Sequence, residues 1–149
     1  MILMTSKFGE IEIADDRIIY FSEGIPGFEY LKHFCVLVLE QTAPFYWLQS
    51  VEEDVSFPVI SPFDLDEKYS PFIEDAVFKE LNVEKDEDVL VVNIAVIPSD
   101  ASKMTVNMAA PIIINVATNL GKQVIVEGST YLIRQPVFDI IRKMIKERK

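Results

Sequence analysis

The sequence predicts a mainly β fold, an antiparallel sheet curled into a barrel-like or sandwich core, with one short helix near residues 71–82 and a C-terminal helix. Three observations carry this. Short runs rich in β-branched and aromatic residues recur along the chain, among them FCVLVLE, FYWLQSVE and VLVVNIAVI. Turn-forming residues separate them, drawn in part from 8 prolines and 5 glycines. Only two stretches space their apolar residues by three and four, as a helix requires. With 149 residues, 50% of them hydrophobic, the chain suits a single domain over 1–149 that buries roughly 68–70% of its unfolded surface.

Residues 8–21, FGEIEIADDRIIYF, alternate at Glu10, Ile11, Glu12 and Ile13, then pass through Ala14, Asp15 and Asp16 into a second β-rich run, which predicts a hairpin. In Ile25-Pro26-Gly27-Phe28, Pro26 fixes φ for the second position of a type II turn and Gly27 accepts the positive φ of the third, so Phe28 leaves in a set direction. FCVLVLE and FYWLQSVE then read as an antiparallel pair joined through residues 41–44. Alternation places Phe45, Trp47 and Gln49 on one face and Tyr46, Leu48 and Ser50 on the other, so one set is expected to be buried and the other available. Pro58 and Pro62 in FPVISPFDL cannot donate to a ladder, which predicts an edge strand.

Ser70 and Pro71 supply an N-cap and a first-turn proline, and Ile73, Val77, Phe78 and Leu81 follow at helical spacing, so a helix is expected over 71–82. Residues 89–97 form another strand-like run. TVNMAAPIIINVA and VIVEG predict a second hairpin turning near Gly121. Pro111 inside that run points to an edge or bulge, with Met104 and Met108 as adaptable side chains on an exposed edge. Asn107 and Asn115 stand among apolar neighbours, where a buried amide needs partners or costs about 1–3 kcal/mol. The final segment, residues 134–149, sets Val137, Ile140, Ile141, Met144 and Ile145 on one face of a helix expected to pack on the sheet.

The net charge is −10, unevenly distributed: residues 134–149 carry a net +4, leaving −14 on the rest. An acidic body argues against direct nucleic-acid binding, which draws its affinity from cations displacing counterions. The single Cys35 cannot form an internal disulfide, which suits a reducing compartment, the cytoplasm. The start, MILMTSKFGE, has no basic region ahead of a long apolar core and does not read as a secretory signal. Residues 104–121 are uncharged, but Asn107, Pro111, Asn115, Thr118 and Asn119 interrupt them, so no membrane span is expected. His33 has no second histidine to join it in a zinc site, and neither a Gly-x-Ser-x-Gly elbow nor a Gly-rich phosphate loop occurs. The carboxylates Asp15–Asp16, Glu52–Glu53–Asp54 and Glu84 with Asp86, Glu87 and Asp88 lie in turn-like stretches where polarity explains them. No cofactor, no metal and no catalysis is the expectation. The competing reading is a small β-barrel enzyme or small-molecule binder with convergent carboxylates in a barrel mouth; a broad, shallow apolar patch near the Pro26 turn and Pro111 favours a protein-binding module instead.

Taken in order, KFGEIEI, IIYFSEGIPGFE, PFYWLQS, FPVISPF, TVNMAAPIIIN and GKQVI make the chain resemble the bacterial flagellar assembly factor FliW family over nearly its whole length. The resemblance implies a barrel-like, mainly β, cytoplasmic and non-enzymatic binding protein, expected as a monomer. It further implies a partner switch: flagellin occupies the factor until export, and the freed factor then binds the RNA-binding translational regulator CsrA and relieves repression of flagellin synthesis. Residues expected at partner surfaces are Ile25, Pro26 and Phe28 of the turn, Phe45 and Trp47, and Met104, Asn107, Met108 and Pro111. No family motif accounts for the basic C-terminal helix.

Overall fold

The computed structural model describes residues 1–147. Its strands are β1 (Ile2–Thr5), β2 (Gly9–Glu12), β3 (Ile19–Tyr20), β4 (His33–Leu37), β5 (Tyr46–Ser50), β6 (Ser56–Ile60), β7 (Val89–Val96), β8 (Thr105–Val106), β9 (Ile112–Asn115), β10 (Leu120–Gln123) and β11 (Gln135–Pro136). Helix α1 is Asp75–Glu80 and α2 is Phe138–Glu147; residues 148 and 149 of the expected C-terminal helix lie outside the described residues. Strands β7-β6-β5-β4-β3-β10-β9 run in that order, and β9 pairs back onto β7, closing a seven-stranded barrel. All of these pairings are antiparallel except a single parallel contact, Leu120 beside Tyr20, between β10 and β3. β8 and β11 extend from β7, and β1–β2 form a separate two-stranded sheet.

The barrel interior follows from strand alternation. Phe34 and Val36, Tyr46 and Leu48, Phe57 and Val59, Leu90, Val92 and Ile94, and Ile112 and Ile114 stand two residues apart on their strands and point into one cluster. Ile25, Phe28 and Leu31 join it from the loop between β3 and β4. Burying each large apolar side chain contributes about 1.5–3 kcal/mol. The outer face is covered as well. Val137 and Ile141 bring α2 against Phe45, Ile60, Tyr69, Ala95, Met104, Val106 and Met108, the packing expected for that helix. Val77 and Leu81 seat α1 on Ile113.

Several expectations are corrected. Residues 8–21 are not a hairpin: β2 pairs backwards with β1, and the 3₁₀ turn Asp15–Arg17 carries the chain into the barrel. β6 is not an edge strand but lies between β5 and β7. Its proline is accommodated because the ladder with β7 covers only Val59 and Ile60, leaving Pro58 paired on one flank. The first helix starts at Asp75 rather than 71, with Glu74 as its N-cap. The β9–β10 turn falls at residues 116–119, with Asn119 at φ 58°, while Gly121 lies within β10. There an added Cβ would approach a Phe21 ring carbon to 2.6 Å, so Gly121 makes room for an interior aromatic rather than a bend.

Candidate partner-binding groove

An open apolar groove arises where the β6–β7 ladder stops. Val59 faces Ile94 and Ile60 faces Asn93. The N–H of Asn107 donates to the Ile94 carbonyl at 2.9 Å, so Ile94 turns its backbone polar groups towards β8. Alternation turns those of Ala95 towards β6, where the facing residue is Pro58, which has no N–H to give. Pairing ends there, and Phe57 and Val96 part to line a groove of about 420 Å³.

Besides Ile133 and Arg134, three further segments build its walls. In the first, the N–H of Phe28 donates to the Ile25 carbonyl at 2.6 Å with Gly27 at φ 90°, the geometry of the expected type II turn. Gly27 also donates to Glu29 Oε1 at 2.9 Å, and that bond, with the neighbouring backbone N–H, holds the Glu29 carboxyl below its usual pKa. Ile25 is buried, while Pro26 stands exposed at the rim. In the second, Asn107 Oδ1 accepts the N–H of Ala109 at 3.0 Å and bends the chain so that Ala109 and Ala110 form the floor. The third, residues 123–126, is tied down by Val124 N–H to the Pro111 carbonyl and Val126 N–H to the Ala109 carbonyl, at 2.9 and 2.8 Å. Val96, Ile125 and Ile133 remain 61%, 63% and 67% exposed, and among the described residues Arg134 is the only ionisable one lining the groove.

The site residues expected from sequence divide sharply. Ile25, Pro26 and Asn107 meet at this groove. Phe28 packs inward, edge-on to Phe57 with centroids 5.1 Å apart, so it caps the core. Phe45, Met104 and Met108 are buried beneath α2, and Pro111 is buried ahead of β9, so the exposed edge expected beside the two methionines does not exist. Trp47 is 8% exposed; Lys7 lies 4.1 Å from its ring, Phe8 packs edge-on to it, and its Nε1 donates to Thr42 Oγ1. It seats the tip of the β1–β2 hairpin, so neither face of β5 is free. Asn115 ties loops together, donating to the Leu81 and Asn82 carbonyls and accepting from Ala117. Val96, Ile125, Ile133 and Arg134 were not singled out by sequence; the one available signal was an Ile-Arg pair without helical or strand periodicity around it.

Elsewhere, burial pushes the Cys35 thiol up to about 11, leaving it uncharged and unreactive at neutral pH. No described helix is long and apolar enough to cross a membrane.

A family model described as FliW protein matches residues 2–137. The chain belongs to the FliW family. It is 40% identical to the flagellar assembly factor FliW of Caldicellulosiruptor saccharolyticus, over 98% of this chain and 96% of that protein. It is 37% identical to the flagellar assembly factor FliW of Lachnoclostridium phytofermentans, over 99% and 97%. A crystal structure of the flagellar assembly factor FliW superposes with a TM-score of 0.86 at 35% identity, covering 93% of this chain and 97% of that one. The resemblance carried by the sequence motifs and the mainly β barrel are thus both borne out, and these relatives are flagellar assembly factors rather than enzymes. Every segment that lines the groove lies inside the FliW match, whereas α2 begins just beyond it.

Proposed function

We propose that this FliW-family chain serves flagellar assembly as a cytoplasmic monomer that binds flagellin at the groove beside Pro26 and, once flagellin leaves, antagonises CsrA. The observation that carries the reading is an open apolar groove on a barrel whose interior is already filled by side chains. A barrel-mouth enzyme or small-molecule site would need convergent polar groups, and among the described residues no carboxylate lines the groove. The turn of Ile25 and Pro26 presents its rim with little further ordering required, which lowers the entropic cost of association.

Calorimetry with soluble flagellin tests this directly. Wild-type protein is expected to bind near one to one, and Ile133→Asp or Val96→Asp to weaken binding at least tenfold without moving the thermal transition, because both side chains are exposed. No heat with the wild type sinks the proposal. For CsrA, the −14 carried outside the basic tail supports repulsion of RNA phosphates by a docked acidic body, without occupation of the RNA site. Such antagonism should fade with salt, since the Debye length falls from about 8 Å at physiological ionic strength to about 3 Å at 1 M. Neutralising Glu84 and Glu87, both exposed, should weaken it too; antagonism indifferent to both changes would instead favour steric exclusion.

A further inference from the structure

We infer that the partner segment filling the groove is an apolar stretch that sets a carboxylate against Arg134; this rests on the groove being the protein-docking surface proposed above. The chain has 24 carboxylates and 14 lysines and arginines, so an arbitrary surface of it is rimmed by acid. Here the sign is reversed: among the described residues, the sole ionisable lining group is a guanidinium. Three other cations of the fold are already engaged. Lys122 is clamped between Glu23 and Glu80 at 3.0 and 2.9 Å, Arg142 reaches Asp139 at 3.6 Å, and Lys7 lies over Trp47. Among the described residues no carboxylate pairs with Arg134.

An occupant that covers Ile133 and Ile125 also draws water away from Arg134. Leaving that cation desolvated without a counter-charge would oppose binding, whereas a carboxylate meets the guanidinium fork with two parallel hydrogen bonds. A peptide segment satisfies this better than a small apolar acid. The apolar surface continues past the concavity through Val96, Ile125 and Ile133, each more than half exposed, and an elongated chain covers all three while a molecule confined to the cavity leaves them wet.

The probe is soluble flagellin, titrated into wild type, Arg134→Gln, Arg134→Glu and Ile133→Asp at low and high salt. The expected result is that Arg134→Glu loses at least about tenfold in affinity and Arg134→Gln loses less, with a shallower salt dependence than wild type. Substituting flagellin carboxylates singly by their amides should then yield one variant whose loss is not added to that of Arg134→Gln. Binding by wild type that is lost in Ile133→Asp but unchanged, within twofold, in Arg134→Glu would overturn the carboxylate and leave the groove standing. Equal affinity of all four proteins would overturn the groove itself, and a wild type that binds no flagellin would overturn both readings. A decanoate titration that displaces flagellin in proportion to its own binding would reassign the site to a small apolar acid.

Discussion

Strands β6 and β7 treat two adjacent stretches of one ladder in opposite ways. At Val59–Ile60 against Asn93–Ile94 they pair, and Val59 and Ile60 are fully buried. One position further, Pro58 faces Ala95 and pairing stops; Val96 stands exposed on the open groove, and Phe57, which also packs against the core, reaches its wall. Hydrophobicity does not distinguish the two stretches, since Val96 is the same residue type as Val59. The missing proline N–H does, so a backbone donor rather than a side chain decides which apolar surface is consumed by folding and which is left for a partner.

The largest expected effect breaks the closed side. Leu48→Ala in the barrel interior should cost about 2–5 kcal/mol in denaturant unfolding, because the ring of strands around a fully buried side chain cannot collapse onto the cavity. A loss below about 1 kcal/mol would mean the interior is loosely packed. Gly121→Ala is expected to cost about 1–3 kcal/mol by driving a methyl into Phe21, and Phe21→Leu in the same chain should recover part of it. If the double variant is no better than the single, the conflict is not with that ring.

Pro58→Ala converts the open stretch towards the closed one. A restored N–H opposite Ala95 should appear as a newly protected amide in hydrogen exchange. Stability should move by less than about 1 kcal/mol, because the gained hydrogen bond is offset by the greater freedom of the unfolded chain. Flagellin affinity should fall several-fold as the groove narrows; unchanged affinity would separate groove width from binding.

The smallest effect lies outside both stretches. Burial alone would raise the Glu52 carboxyl, but the N–H groups of Lys32 and His33, each 2.6 Å away, and the His33 ring more than offset it and hold its pKa below the usual value. A depressed folded-state value means stability that is present above the unfolded value of about 4.3 and lost as pH falls through the folded one. Thermal midpoints should therefore decline below about pH 4.3 in wild type and decline less in Glu52→Gln. The acidic triplet Glu52–Glu53–Asp54, a polar turn by sequence, is in fact a set of ties, with Glu53 accepting from Tyr30 and Asp54 from the Ser6 N–H.

Much of this molecule follows from local chemistry. The Pro26–Gly27 turn, the antiparallel pairing of β4 with β5, the amphipathic α2 and the family motifs all depend on residues adjacent in the chain, where φ restriction and side-chain period act directly. Burial did not follow in the same way. A period of two separates the faces of a strand, but in a closed barrel one face meets the interior and the other meets α1, α2 or the β1–β2 hairpin, so Phe45 and Trp47, and with them Met104 and Met108, are buried although they were expected at partner surfaces. The groove is likewise a product of tertiary structure: Pro26, Phe57, Val96, Asn107, Ile125 and Arg134 come from six separate stretches of chain, and only closure of β9 onto β7, with the ladder interrupted at Pro58, brings them to one surface.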